Sequence, residues 1–273
     1  MGSMEHLSDA TLEDVAAFFR TYYTPDNAVL SIVGDVRADE ARRLVDEHFG
    51  AVPRGSGRPP LPDMSLSPTL GEWRREVVAD EVMVPRLFLA LRAPVLGSDD
   101  YYPMSVAGAI LGMGRGSRMH RQLVREQQLA SSVMAFTFDL AKGSDLLILD
   151  VTARPGVSGA ALESGVAGIL DVMHRDGVTT DEVARANALI ITDIITSLQS
   201  AQARADKLSQ FATYFDDSSL VNGQVSAFER VTATDVNRIA QQLLGTDNRA
   251  SLLYEPRSEP MESAPAGIPE AAS

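Results

Sequence analysis

Hydrolytic or metal chemistry would start from histidine, cysteine and carboxylate side chains, and this sequence spaces them poorly for it. Its four histidines are His6, His48, His120 and His174, and no two stand at helical spacing. Histidine is the commonest side-chain ligand of catalytic zinc, and a zinc helix presents two of them on one face. Asp46-Glu47-His48 matches the second half of an H-x-x-E-H helix, but the position of the first His is Leu44, on an apolar stripe. His48 therefore reads as a helix-end residue facing the negative terminus of its helix. Cysteine is absent, which removes disulfides, Cys-ligated zinc and thiol nucleophiles. No Ser/His/Asp set follows from spacing, and the doublets Asp99-Asp100 and Asp216-Asp217 read as caps or solvated helix ends.

The segment with more chemical promise is glycine-rich, then basic. Gly112-x-Gly114-x-Gly116 lacks the G-x-x-x-x-G-K-[ST] phosphate pattern and follows a predicted helix, so it reads as a helix-terminating turn. Ser117 is placed to cap the next helix, predicted over 118–127. On that helix Arg118, Arg121 and Arg125 are spaced to share one side, with Met119, Leu123 and Val124 toward the core. One reading is a solvated face. The other is a cationic rim that grips a peptide carbonyl or carboxylate, beside a turn whose glycines let a substrate backbone come close. His120, between Met119 and Arg121, reads as structural.

The elements that must hold this segment follow from periodicity. Strands are predicted over 72–78, 86–91, 130–139, 146–152 and 250–254, with 130–139 and 146–152 an antiparallel pair turning through Lys142-Gly143-Ser144. Helices are predicted over 101–111, 160–173, 181–215 with a break near 197–200, 219–230 and 232–244. Strands early and helices late give an α+β class: one mixed or antiparallel sheet, helices packed on one face, the other face left available.

Near the N-terminus, Leu12, Val15, Phe19 and Tyr22 follow the helical rhythm behind an N-cap at Thr11, with Asp14 three residues on. A short strand over 28–33 and a helix over 38–49 ending at Gly50 follow. This stretch recurs. Thr11-Leu12-Glu13-Asp14-Val15 leads into Asp26-Asn27 and an apolar run, as Thr232-Ala233-Thr234-Asp235-Val236 leads into Asp247-Asn248 and another. The offset of about 220 residues is a domain's length, which would start the first copy's domain roughly 150 residues before Met1. The expected organisation is a C-terminal fragment of a first α+β domain over 1–52, with 1–3 a cloning scar. A Pro/Gly-rich linker over 53–71, a complete second domain over 72–256 and a disordered tail over 257–273 follow.

Of the 273 residues, 45% are apolar and 22% charged, an ordinary globular balance, and the net charge is −13. Such acidity argues against nucleic acid, whose binding needs cationic side chains. No run is long and apolar enough to span a membrane, and no secretory signal is seen at the N-terminus, which leaves the compartment open.

With these residues in view the chain resembles the insulinase-like, or pitrilysin, zinc peptidase family (the inverzincins), which includes mitochondrial processing peptidase and the core proteins of the cytochrome bc1 complex. The resemblance runs from Thr11 to Tyr254. It rests on Leu12-x-Asp14-Val15-x-x-Phe18, Tyr22-Tyr23-x-Pro25-x-Asn27, Val33-Gly34-Asp35-Val36 and His48-Phe49-Gly50-x-x-Pro53, then Gly112-x-Gly114, Ser117-Arg118-x-x-x-x-Leu123-Val124-Arg125-Glu126 and Leu129-Ala130. It implies paired α+β domains around a chamber, with the H-x-x-E-H zinc helix in a domain or partner subunit outside this sequence and no zinc in this chain. It implies that Arg125 corresponds to an arginine that, with a tyrosine seven residues downstream, holds substrate and stabilises the transition state. At that spacing this sequence has Ser132, or Ser131 allowing a one-residue deletion. The expected function is a noncatalytic half that binds extended peptide through Arg125, Arg118, Gly112, Gly114, Gly116 and Ser117, inactive alone. It would be completed by a zinc-bearing domain or subunit, or pair as a homodimer. The rival expectation is a purely structural assembly subunit.

Overall fold

A computed structural model describes residues 3–257. Met1 and Gly2 of the expected cloning scar, and the expected tail from residue 258 on, lie outside the described residues; Ser3 lies inside them and caps a helix. In chain order the elements are helices α1 (Met4–Asp9), α2 (Leu12–Tyr22) and α3 (Ala38–Phe49), strands β1 (Arg74–Asp80) and β2 (Arg86–Ala93), and helix α4 (Tyr101–Gly112). A π-helix (His120–Glu126), strands β3 (Ala130–Thr137) and β4 (Asp145–Ala153), and helices α5 (Gly159–Asp176), α6 (Thr180–Ser197) and α7 (Ala201–Phe215) come next. Helices α8 (Gln224–Glu229) and α9 (Ala233–Leu243) and strand β5 (Ala250–Pro256) close the series. The described residues divide into two compact units: residues 3–66, 141–143 and 184–231, and residues 67–140, 144–183 and 232–257.

The second unit is the α+β body expected from the pattern. Its sheet runs β1-β5-β2-β4-β3, with β1 parallel to β5 and the other pairs antiparallel. Leu87, Leu89 and Leu91 of β2 alternate onto one face beside Leu147, Leu149 and Val151 of β4 and Leu253 of β5, and all are buried. Helices α4, α5 and α9 cover that face with Met104, Leu111, Leu162, Val166, Leu170, Val236 and Ile239, also buried. Helix α4 is apolar nearly all round, as a helix inside a core must be. The opposite face carries Phe88, Asp150, Met134 and Phe136. There Arg86 forks onto Asp150 at 2.9 and 2.6 Å and stands 4.6 Å over the Phe88 ring.

Two half-buried polar contacts hold the end of the β3–β4 hairpin. The Tyr101 hydroxyl donates to Asp139 at 2.5 Å, and the Asp139 amide donates to the buried Asp145 carboxylate at 3.1 Å. Burial raises the Asp145 pKa, opposed by the amides it accepts. Asp139 itself sits at φ 58°, the left-handed region that a short Asp side chain tolerates.

In the first unit the sequence-predicted strand over 28–33 does not form: these residues have no strand partner among the described residues. A strand exists only by pairing, and an apolar run cannot supply its own partner. Helix α2 forms behind a complete capping box between Thr11 and Asp14. Its apolar stripe lies exposed, as do Phe18 and Tyr23. The Pro/Gly run is tied to this unit where Asp26 accepts the amides of Gly55 and Gly57 at 3.0 and 2.8 Å.

Candidate functional site

The glycine-rich turn and the basic helix both lie in the second unit, and their residues divide into those committed to the fold and those left free. Gly112 ends α4 and is buried. A Cβ there would stand 2.5 Å from the Ala135 amide nitrogen and 2.6 Å from its Cβ, so the glycine lets α4 lie against the edge strand β3. This corrects the expectation that Gly112 opens space for a substrate backbone. Gly114 turns at φ 73° and is exposed with Gly116. Ser117 is buried; its hydroxyl donates to the Gly114 carbonyl at 2.8 Å and accepts the His120 amide at 3.4 Å, pinning the turn to the helix start.

Arg118 is likewise corrected: it is withdrawn from the cationic rim. Its side chain is 10% exposed and forks onto Glu182 at 2.8 Å on both bonds, while also donating to the Gly177 carbonyl at 2.8 Å. The guanidinium holds the Glu182 carboxyl down at a pKa of about 2. Glu182 also accepts the Thr179 amide, so one ion pair joins the end of α5 to the start of α6.

Sequence reasoning expected an α-helix over 118–127. The structure has a single turn of it, then a π-helix in which the Gln127 amide bonds the Gln122 carbonyl, five residues back, at 2.8 Å. The wider winding changes which residues share a side. Leu123 is buried, Arg121 approaches Glu126 at 4.0 Å, and Arg125 is exposed with no ion pair or hydrogen bond among the described residues. The His120 Nδ1 is buried and unpartnered.

The helix stops where Gln128 turns left-handed at φ 55°. Arg154, just beyond β4, grips this stop: its side chain donates to the carbonyls of Val124 at 3.1 Å and Ala130 at 3.3 Å and to the Gln128 side chain at 3.3 Å. Its own amide bonds the Leu129 carbonyl at 2.9 Å. Sequence reasoning missed Arg154, whose partners are mostly backbone carbonyls. The available signal was its place after a strand predicted to pair with the segment that follows Arg125.

Where the family resemblance looks for a tyrosine, the chain builds a β-bulge. The register slips between Ala130 and Ser132, and the Ser131 hydroxyl donates to the carbonyls of Thr152 and Ala153 at 3.2 and 3.1 Å. Ser132 is exposed on the open face. The described residues do not fit a zinc centre: no group of three or more His, Asp or Glu side chains among them could hold a metal ion. No helix among them is long and apolar enough to cross a membrane.

The family described as the peptidase M16 inactive domain matches residues 9–190. An uncharacterized zinc protease of Mycobacterium tuberculosis is 26% identical over 253 residues, covering 93% of this chain and 57% of that protein. Zinc protease PqqE of Helicobacter pylori is 23% identical over 257 residues, covering 94% and 57%. This chain thus spans just over half the length of these relatives. Among solved structures, a protease from Helicobacter pylori superposes with a TM-score of 0.83 at 22% identity, covering 93% of this chain and 62% of that one. A peptidase M16 inactive domain from Pseudomonas fluorescens gives 0.78 at 18%, covering 93% and 60%. A mixed sheet with helices on one face, a glycine turn leading to a basic helix, and a match over most of its length make this chain a member of the M16, insulinase-like peptidase family, carrying its inactive domain.

Proposed function

We propose that this chain is the noncatalytic, peptide-binding half of an M16-type zinc peptidase. The observation that carries the reading is Arg125: an exposed guanidinium free of carboxylates, in a chain of net charge −13, on a helix packed against the edge strand β3. Of the arginines on this segment, Arg118 is held by Glu182, while Arg125 meets no carboxylate among the described residues. An unpaired one beside a sheet edge is suited to grip the carbonyl or carboxylate of an extended peptide laid along β3. Gly114 and Gly116 leave the approach open, while Gly112, Ser117 and Arg118 hold the scaffold.

The chain alone hydrolyses no peptide in this reading, because zinc and its general base belong to a companion α+β domain or subunit. The first unit supports such a companion. Helix α2 and residues 28–33 repeat α9 and β5, and those are buried in a domain of their own. The exposed copy lacks that domain among the described residues.

The test is fluorescence anisotropy with fluorescein-labelled, unstructured basic peptides. Arg125→Ala should weaken binding about tenfold or more, the worth of a charge-assisted hydrogen bond. Robust, chelator-sensitive turnover by the purified chain would defeat the reading.

A second reading, a structural assembly subunit, is favoured by the serines at 131 and 132. It also draws on a likeness to a chain of complex III from Candida albicans, with a TM-score of 0.75, 14% identity and coverage of 93% of this chain and 61% of that one. Failure of every extended peptide to bind would select it.

A further inference from the structure

We infer that Arg154 is a positioning residue for Arg125, a claim that rests on the peptide-binding reading above. A π-helix is an uncommon winding, and one of a turn or two persists only where its surroundings hold it. Here the hold at the C-terminal end comes from outside the helix. The Val124 carbonyl lies in the last turn, where the left-handed residue Gln128 ends the ladder. Such a carbonyl needs a donor from elsewhere, and Arg154 Nη2 supplies it.

The rest of the same side chain fixes the segment between the helix and the sheet. Nη1 reaches the Gln128 side chain and Nε the Ala130 carbonyl at the start of β3. One planar cation thus spans the last helical turn, the reversal and the first residue of the edge strand. Its charge also sits at the negative end of the helix, where a cation is favoured. Arg125 follows Val124 directly. Fixing the Val124 carbonyl therefore fixes the peptide plane that carries Arg125 and aims its exposed side chain relative to β3.

A lysine would keep the charge at position 154 but not the rigid fork that serves three acceptors at once. Arg154 touches no substrate in this arrangement. It acts only through the helix end, and its loss should resemble the loss of Arg125.

The experiment compares Arg154→Met, Arg154→Lys, Arg125→Ala and the double variant Arg125→Ala/Arg154→Met. Binding of a fluorescein-labelled, unstructured basic peptide is followed by anisotropy. The Arg125 Nε–Hε resonance and amide exchange over residues 123–130 are followed by NMR. Arg154→Met should weaken binding by about tenfold, close to Arg125→Ala, and the double variant should be no weaker than either. Arg154→Lys should fall between Arg154→Met and wild type. The Arg125 resonance should shift, and exchange should quicken over 123–130 but not in β2 or β4. Losses that add in the double variant, or an unmoved Arg125 resonance, overturn the inference. If the wild-type chain binds no peptide, the functional reading fails and NMR decides the positioning claim alone: faster exchange confined to 123–130 with a shifted Arg125 resonance supports it, and unchanged rates overturn it.

Discussion

Helices α2 and α9 begin with the same device and end in opposite circumstances. In each, threonine and aspartate close a capping box: Thr11 with Asp14 at 2.9, 2.6 and 3.2 Å, Thr232 with Asp235 at 3.0, 2.6 and 3.3 Å. Each then presents an apolar stripe. In α9, Val236 and Ile239 are 0% and 1% exposed; in α2, Val15 and Phe19 are 46% and 51% exposed. The strands that follow diverge further, since β5 pairs with both β1 and β2 while residues 28–33 pair with nothing described. The difference separates what local sequence can do from what only a partner can do. A cap and a 3.6-residue rhythm make a helix, but burial and strand formation need a second surface.

The sharpest way to break this comparison is to put a charge at equivalent places. Val236→Asp should cost about 4 kcal/mol or more, an unpaired charge in a packed core, and should abolish the cooperative unfolding of the second unit. Val15→Asp should move stability by no more than about 0.5 kcal/mol. Equal effects in urea denaturation would mean that α2 is buried in solution after all.

Acid sharpens it next. The carboxyl of Glu182 is held at about 2, below its usual 4.5, so the stability it contributes is full above about 4.5 and is lost as pH falls toward 2. The loss approaches about 3 kcal/mol and falls on the second unit. The first unit's pairs Arg20–Glu13, Arg37–Asp39 and Arg43–Glu47 are solvent-exposed and contribute little. Urea midpoints of wild type and Glu182→Gln should differ at neutral pH and converge near pH 2; parallel profiles would contradict the assignment.

The caps give the smallest effect. Thr232→Ala should lower the second unit's stability by about 1 kcal/mol, whereas Thr11→Ala should fray α2 without moving that transition. Amide exchange on the two variants separates local fraying from a global shift.

The same division explains which elements were legible in the sequence. Strand β2 and helices α5 and α9 were readable because their rhythm and their burial agree, and α4 and β4 because a nearly continuous apolar run is buried on nearly every side. The run over 28–33 has the rhythm of a strand and none of the pairing. The exposure of Arg125 matches its expected place on a basic helix, but the fate of Arg118 was not legible, since Glu182 stands far away in sequence and only the fold joins them. The π-helix leaves no mark in the sequence, where spacings of three and four put the three arginines on one side of an α-helix. Arg154 escaped because contacts to carbonyls leave no mark on the partner's side chain.

The bulge at Ser131 has a consequence for self-association. A long, flat, unpaired edge invites another copy of the same strand, and a bulge at its start bends the ladder and spoils the first pairing positions. Two copies of this chain also repel each other through their shared acidity. The bulge and the shared acidity together discourage one copy's edge strand from pairing with another's.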